Sequence, residues 1–323
     1  MAVAGGSKRR TSVALSWCAE AWHDDKPVTP KGSNMPLQAH PAAPITLRLE
    51  QLERRPLAGE GNYVWKIPFP GGHEDAAVLK VYYGSRGWPL YAKKTVGNLL
   101  LTGRTSQMPR TRWRNEVECI RLWERHGFRC FGMHPEVRVE GLPEHGYMVY
   151  DWTPGRHFRE YFRDASVPLA ERLATWRRWV PEWHRRHAIA VREREPRLIH
   201  ENGDVKHVML WQGGFLYFDF EICFTSHNVR DLVGREILAY MRSVGKFFGP
   251  ELYERMTDVL VDAYPDKALL LSAWEHAFRN SNPVVRAARA LDRFKPRHKS
   301  RWSKYSVALD IRRRLDAASL TQR

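Results

Sequence analysis

A single change in the period of the hydrophobic pattern constrains this chain more than any other feature. From Ile45 to Trp152 the apolar residues fall mainly in short, β-rich runs. "YVWKIPF" and "AAVLKVYY" are separated by the turn formers of "PGGHED", which predicts a hairpin, and "GYMVYDW" is a further strand closed by "TPG". A helix interrupts them: "TRWRNEVECIRLWERHGF" sets Trp113, Val117, Ile120 and Trp123 near one face, with Gly127 as its stop. After Gly155 the period becomes helical. "PLAERLATWRRWVPEWHRRHAIA" aligns Leu169, Leu173, Trp176, Val180 and Trp183 along one stripe, with a kink expected at Pro181. Two short strands, "HVMLW" and "FLYFDFE", joined by "QGG", come next, and the remainder is helical. The reading is α+β in two lobes: a small β-rich lobe over residues 45–148 and a larger, mostly helical lobe over 149–323. Residues 1–44 mix Gly, Ser, Pro and charge without a sustained period, as a disordered leader would.

Composition supports a packed interior. With 323 residues, 43% hydrophobic content and 13 Trp, the chain can bury a large core. Those tryptophans read as core rather than as a stacking platform for bases. No run of 18 apolar residues occurs, and "SVALSWCAEAW" is too short and too acidic for a secretory core, so a cytoplasmic location is expected. Cys18, Cys119, Cys130 and Cys223 form no CxxC pair and read as reduced, packed thiols. The formal charge of +16 favours polyanionic partners without choosing among them. Much of it lies in a C-terminal stretch in which Arg286, Arg289, Arg293, Lys295, Arg297, Lys299, Arg301 and Lys304 face a single acid, Asp292. No RNP, KH, zinc-finger or helix-turn-helix signature is present, and no specific nucleic acid is expected.

Several residues sit where their chemistry needs an explanation. "GEGNYVWKI" sets Gly59 and Gly61 before a strand, where missing side chains let backbone amides approach phosphates. Lys80 lies mid-strand among apolar neighbours, and Glu116 shares a helix face with Ile120 and Trp123, so each calls for a buried partner of opposite charge. Glu118 points elsewhere and reads as solvated. Asp219 ends the apolar run "FLYFDF", where a buried acid is costly unless it binds a cation or several donors. The loop "LIHENGDVKHVML" adds His200, Asn202, Asp204, Lys206 and His207. In order and spacing these elements predict a bilobal protein-kinase-like fold.

On "NEVECIRLWERHGF", "HENGDVKHVML" and "FDFE" the chain resembles the bacterial lipopolysaccharide core kinases, the heptose and Kdo kinase group within the protein-kinase-like superfamily. The resemblance implies ATP-dependent phosphorylation of a hydroxyl on a sugar or glycolipid. Lys80, positioned by Glu116, would orient ATP. Asp219 and His207 would hold Mg2+, or Mn2+ in view of the imidazole. Asn202 stands at the position of the general-base aspartate in an ungapped alignment, and an amide cannot accept a proton at neutral pH. Counting by chemistry instead makes Asp204 the base, with Asn202 orienting the loop and Lys206 facing the migrating phosphoryl charge; His200 is expected to pack against Phe220. Asp219 and Asp231 are only twelve positions apart, which leaves no room for a peptide-docking activation segment and favours a small or saccharide acceptor. The basic excess would suit a phosphorylated glycan or an anionic membrane surface. A pseudokinase scaffold and a small-molecule or protein kinase of the same superfamily are the alternatives.

Overall fold

The computed structural model describes residues 45–57, 62–83, 87–279 and 300–321, all within the compact unit of residues 43–323. The expected leader, Gly59, Gly61 and the basic positions from Arg286 to Lys299 lie outside the described residues. The protein is a mixed α+β structure with a sheet-rich N-terminal region and a helical C-terminal part.

In the N-terminal region, β2 (Arg55–Pro56), β3 (Tyr63–Pro68), β4 (Ala76–Val81) and β7 (Tyr147–Asp151) form an antiparallel sheet in that order. β1 (Thr46–Arg48) pairs in parallel with β6 (Arg138–Glu140). The alternation of β4 sorts its side chains by face. Ala77, Leu79 and Val81 enter a small core with Ile67, Phe69, Val137, Val139 and Val149. Val78 and Tyr82, of opposite parity, join the main core instead, and Lys80 shares their face. β7 carries the sheet past the expected lobe boundary at 148/149 to Asp151. Helix α1 (Trp88–Gly97), continued by a π-helical turn over Asn98–Thr102, was not expected from the sequence pattern. Helix α2 (Pro109–Arg125) starts on a proline and stops before Gly127, whose φ of +73° supplies the left-handed exit.

The C-terminal part opens with β8 (Arg156–His157), α3 (Phe158–Arg163) and α4 (Leu169–Glu193). α4 runs as one helix across Pro181. Trp176, Trp179 and Trp183 are fully buried on both sides of the proline, and this packing outweighs the missing backbone hydrogen bond. β9 (Val208–Trp211) and β10 (Gly214–Tyr217) form the expected hairpin, turned at Gln212 and Gly213 with φ of +46° and +70°. With β5 (Arg129–Cys130) they make a second sheet, ordered β5-β10-β9-β8. α5 (Val229–Ala263) runs through the core and is broken at Gly249, with α6 (Lys267–Leu270), α7 (Ser272–Phe278) and α8 (Lys304–Thr321) following it. Of the basic stretch, Arg301 pairs with Glu254 and Lys304 opens α8.

Candidate active site

β4 and α2 bring Lys80 and Glu116 together. Lys80 Nζ donates to Glu116 Oε1 and Oε2 at 2.9 and 2.8 Å, and the Tyr82 hydroxyl donates to Glu116 Oε2 at 2.6 Å. Glu116 is only 3% exposed, so it could not stand there unpaired. Lys80 has two further carboxylates near it: Glu221 Oε1 at 2.7 Å and Asp219 Oδ1 at 3.6 Å. Burial works against the ammonium, but Glu116, Glu221 and Asp219 outweigh it and hold Lys80 well above the ordinary lysine range. Glu118 is exposed and pairs with Arg197 at 3.3 Å.

Asp219 follows β10 in a left-handed conformation, φ +74°, which turns its carboxylate back toward the loop between α4 and β9. Asn202 Nδ2 donates to Asp219 Oδ2 at 3.0 Å, and His207 Nε2 lies 3.2 Å from the same oxygen. Burial would raise the Asp219 carboxyl, yet His207 and Lys80 overcome it and keep the group below the usual carboxylate range. His207 Nδ1 donates to the Asn202 carbonyl at 2.8 Å. That hydrogen bond leaves Nε2 facing Asp219 Oδ2, so the two side chains can share a proton or can offer one nitrogen and one carboxylate oxygen to a metal. The donor set therefore fits a divalent cation. Among the described residues no cluster of three His, Cys, Asp or Glu side chains is arranged to hold a metal, so further ligands would be phosphate and water oxygens.

His200 packs against Phe220 at 5.3 Å between ring centroids, as expected. Its Nε2 faces the Asp219 carbonyl at 3.3 Å and its Nδ1 the Tyr240 hydroxyl at 3.0 Å. Burial, with His207 beside it, pushes His200 down to about 4, so it holds the loop as a neutral ring. Asp204 caps the 3-10 turn Val205–His207: its Oδ1 accepts the Lys206 amide at 3.0 Å and its carbonyl accepts the His207 amide at 2.9 Å. Lys206 is exposed, and its carbonyl meets His157 Nδ1 at 3.2 Å. Gly203 is not left-handed. It is needed for space, since a Cβ there would sit 3.0 Å from the Tyr240 ring and 3.1 Å from Glu236.

Two acids that the sequence reading left without a role organise this site. Glu221 is buried and bridges the cleft: it accepts from Arg112 Nε at 2.8 Å as well as from Lys80 and from Asn62, the residue directly after Gly61. Asn115 adds a bond to the Glu221 carbonyl at 2.9 Å. Glu236, on α5, is 1% exposed. It pairs with Arg186 of α4 and accepts the His200 amide at 2.9 Å, so the loop hangs from the helical core. A polar residue on an otherwise apolar helix face was the available signal for both Arg186 and Glu236. Cys119, Cys130 and Cys223 are free thiols, with Cys119 and Cys223 in contact at 3.2 Å.

No protein-family model matches the chain, and no curated protein matches it. Solved structures similar to it include the Rio2 kinase of Chaetomium thermophilum in an ADP/Mg2+-phosphoaspartate complex (15% identity, 82% of this chain and 71% of that chain, TM-score 0.37). They also include an apo pseudokinase (12% identity, 85% and 98%, TM-score 0.36). A third is a choline/ethanolamine kinase family protein from Mesorhizobium loti (12% identity, 80% and 92%, TM-score 0.34).

Proposed function

We propose that this chain is an ATP-dependent phosphotransferase of protein-kinase-like architecture whose acceptor is a hydroxyl of a sugar or glycolipid. The observation that carries this reading is the Lys80 ammonium, part-buried and shared between Glu116 at 2.8 Å and Asp219 at 3.6 Å, with Asn202 and His207 converging on the same aspartate. Lys80 would orient the nucleotide phosphates, and Gly59 and Gly61 would let backbone amides approach them. Asp219 and His207 would hold Mg2+ or Mn2+, which when bound neutralises charge on the transferring phosphoryl group. With an amide at position 202, the proton of the acceptor hydroxyl needs another carboxylate, and Asp204 keeps an oxygen beyond the one capping Lys206. Lys206, two positions on, would face the phosphoryl charge. The segment after Asp219 is short and tied down by Thr105 N to Cys223 O and Thr225 N to Gly103 O, both 2.9 Å, which suits a small acceptor better than a peptide.

Nucleotide binding followed by a phosphotransfer screen over glycolipid cores, sugars and aminoglycosides tests the proposal. Asp204→Asn is expected to lower turnover about a hundredfold or more while ATP affinity stays within about twofold. The second reading, a pseudokinase scaffold, is favoured by Asn202 and by the Glu221 carboxylate lying on Lys80. Nucleotide binding without transfer, together with turnover gained in Asn202→Asp, would establish it instead.

A further inference from the structure

Helix α1 is amphipathic in the inverted sense. Polar groups hold its inner face to the protein: the Tyr91 hydroxyl donates to the Tyr82 carbonyl at 3.3 Å, Thr95 Oγ1 accepts the Gln107 amide at 3.0 Å, and Asn98 Nδ2 donates to the Thr105 carbonyl at 2.9 Å. Its outer face is apolar. Trp88 is 67% exposed, Val96 56%, Leu99 53% and Leu100 78%. Positions 88, 92, 96, 99 and 100 recur at helical spacing and make one stripe along α1 and the π-helical turn that extends it. An isolated exposed leucine needs no explanation, but a tryptophan, a valine and two leucines in line call for something that covers them.

Charge identifies the cover. No acidic residue occurs between Asp75 and Glu116, whereas the same stretch carries eight Lys and Arg residues. Lys93 and Lys94 are exposed on α1 itself and Arg110 is exposed at the start of α2. A segment that presents an apolar stripe with cations and carries no carboxylate within its own sequence complements a layer that is apolar within and anionic at its face. Among the described residues no helix is long and apolar enough to cross a membrane, so insertion would stop at the headgroup boundary. A tryptophan at the head of the stripe suits that depth. We infer that α1 is an interfacial helix that lays the Trp88 to Leu100 stripe into an anionic lipid surface. This contact does not depend on the phosphotransferase reading, since it uses none of the cleft residues.

Co-sedimentation of the full chain with vesicles of phosphatidylcholine, alone or mixed with phosphatidylglycerol, tests it. Binding is expected only to the anionic vesicles. The triple variant Val96→Ser, Leu99→Ser, Leu100→Ser should weaken it by at least about tenfold, because each side chain withdraws one apolar anchor. Lys93→Glu with Lys94→Glu should weaken it most at low salt. Quenching of tryptophan fluorescence by brominated lipid should fall in Trp88→Phe. Because all these side chains are exposed, the variants should unfold within a few degrees of the parent chain. Absence of binding to anionic vesicles, or full binding by the triple serine variant, would overturn the inference. So would light scattering that shows a dimer which the same variant converts to monomer, since a second copy would then be the cover.

Discussion

Lys80 is held by more negative charge than a nucleotide-binding lysine needs. Glu116 supplies the bidentate partner, and Glu221 at 2.7 Å occupies a further donor that phosphate oxygens would otherwise take. Removing that competing charge while keeping the shape should tighten ATP binding. We predict that Glu221→Gln binds ATP roughly tenfold more tightly by calorimetric titration. Glu221→Ala should instead destabilise the fold by about 3 kcal/mol, because Arg112, 2% exposed, loses the side-chain oxygen that accepts its Nε and that glutamine would keep. For the first pair, Lys80→Ala and Glu116→Ala should each weaken ATP use, and the double variant should be no worse than either single one. Full additivity of the two losses would separate them functionally. At the cation, His207→Asn should move the metal preference toward Mg2+, read as the ratio of activities with Mg2+ and Mn2+.

At the scale of elements, the loop that carries Asn202, Asp204 and His207 has little regular structure of its own and takes its position from α4 and α5. Glu236 joins the two helices through Arg186 and His187, meets Trp183 Nε1 at 3.2 Å, and reaches the His200 amide at 2.9 Å. Its group is held below the usual carboxylate range, since Arg186 and His187 more than reverse the effect of burial. Truncating it leaves a guanidinium in the core without its counter-charge. Glu236→Ala should cost about 3 to 5 kcal/mol in denaturant unfolding and lower turnover at temperatures where the variant is still folded. The same dependence bears on Gly203: the loop passes so close to Tyr240 that a methyl group would sit 3.0 Å from its ring and require a neighbour to give by a few tenths of an ångström. Elements with their own strong pattern behaved as the sequence implied, including α2 and the β9-β10 hairpin. α1 did not, because its apolar residues face outward and give no inward stripe to recognise.

At the scale of the whole molecule, a buried histidine makes stability fall as pH drops below neutrality. His187 is fully buried between Tyr264 and Glu236, and burial pushes it down to about 4 from an ordinary 6.5. The folded ring stays neutral while the unfolded chain takes up a proton below about pH 6.5. Protons therefore favour unfolding. The contribution of His187 is fully present above about pH 6.5 and is lost as pH falls toward 4, by about 2 kcal/mol at pH 5. His187→Gln should flatten that part of the stability profile in urea titrations between pH 7 and 5; an unchanged slope would show that the ring is already protonated in the fold.

The sequence by itself determined the strongly patterned strands and helices, though not α1, the division into a sheet-rich and a helical part, and the residues that needed charged partners. Period and burial are local properties, and Lys80, Glu116 and Asp219 each violate them in a visible way. Tertiary structure alone decided which partners they found. Glu221 and Arg112 stand more than a hundred positions apart, and nothing in either local pattern marks them as a pair. The loop register was likewise beyond sequence, since Asn202 and Asp204 are both plausible by composition. Folding turns Asn202 onto Asp219 and leaves Asp204 capping its own turn, because the His200 amide and the Gly203 backbone are fixed by Glu236 and Tyr240 on a distant helix.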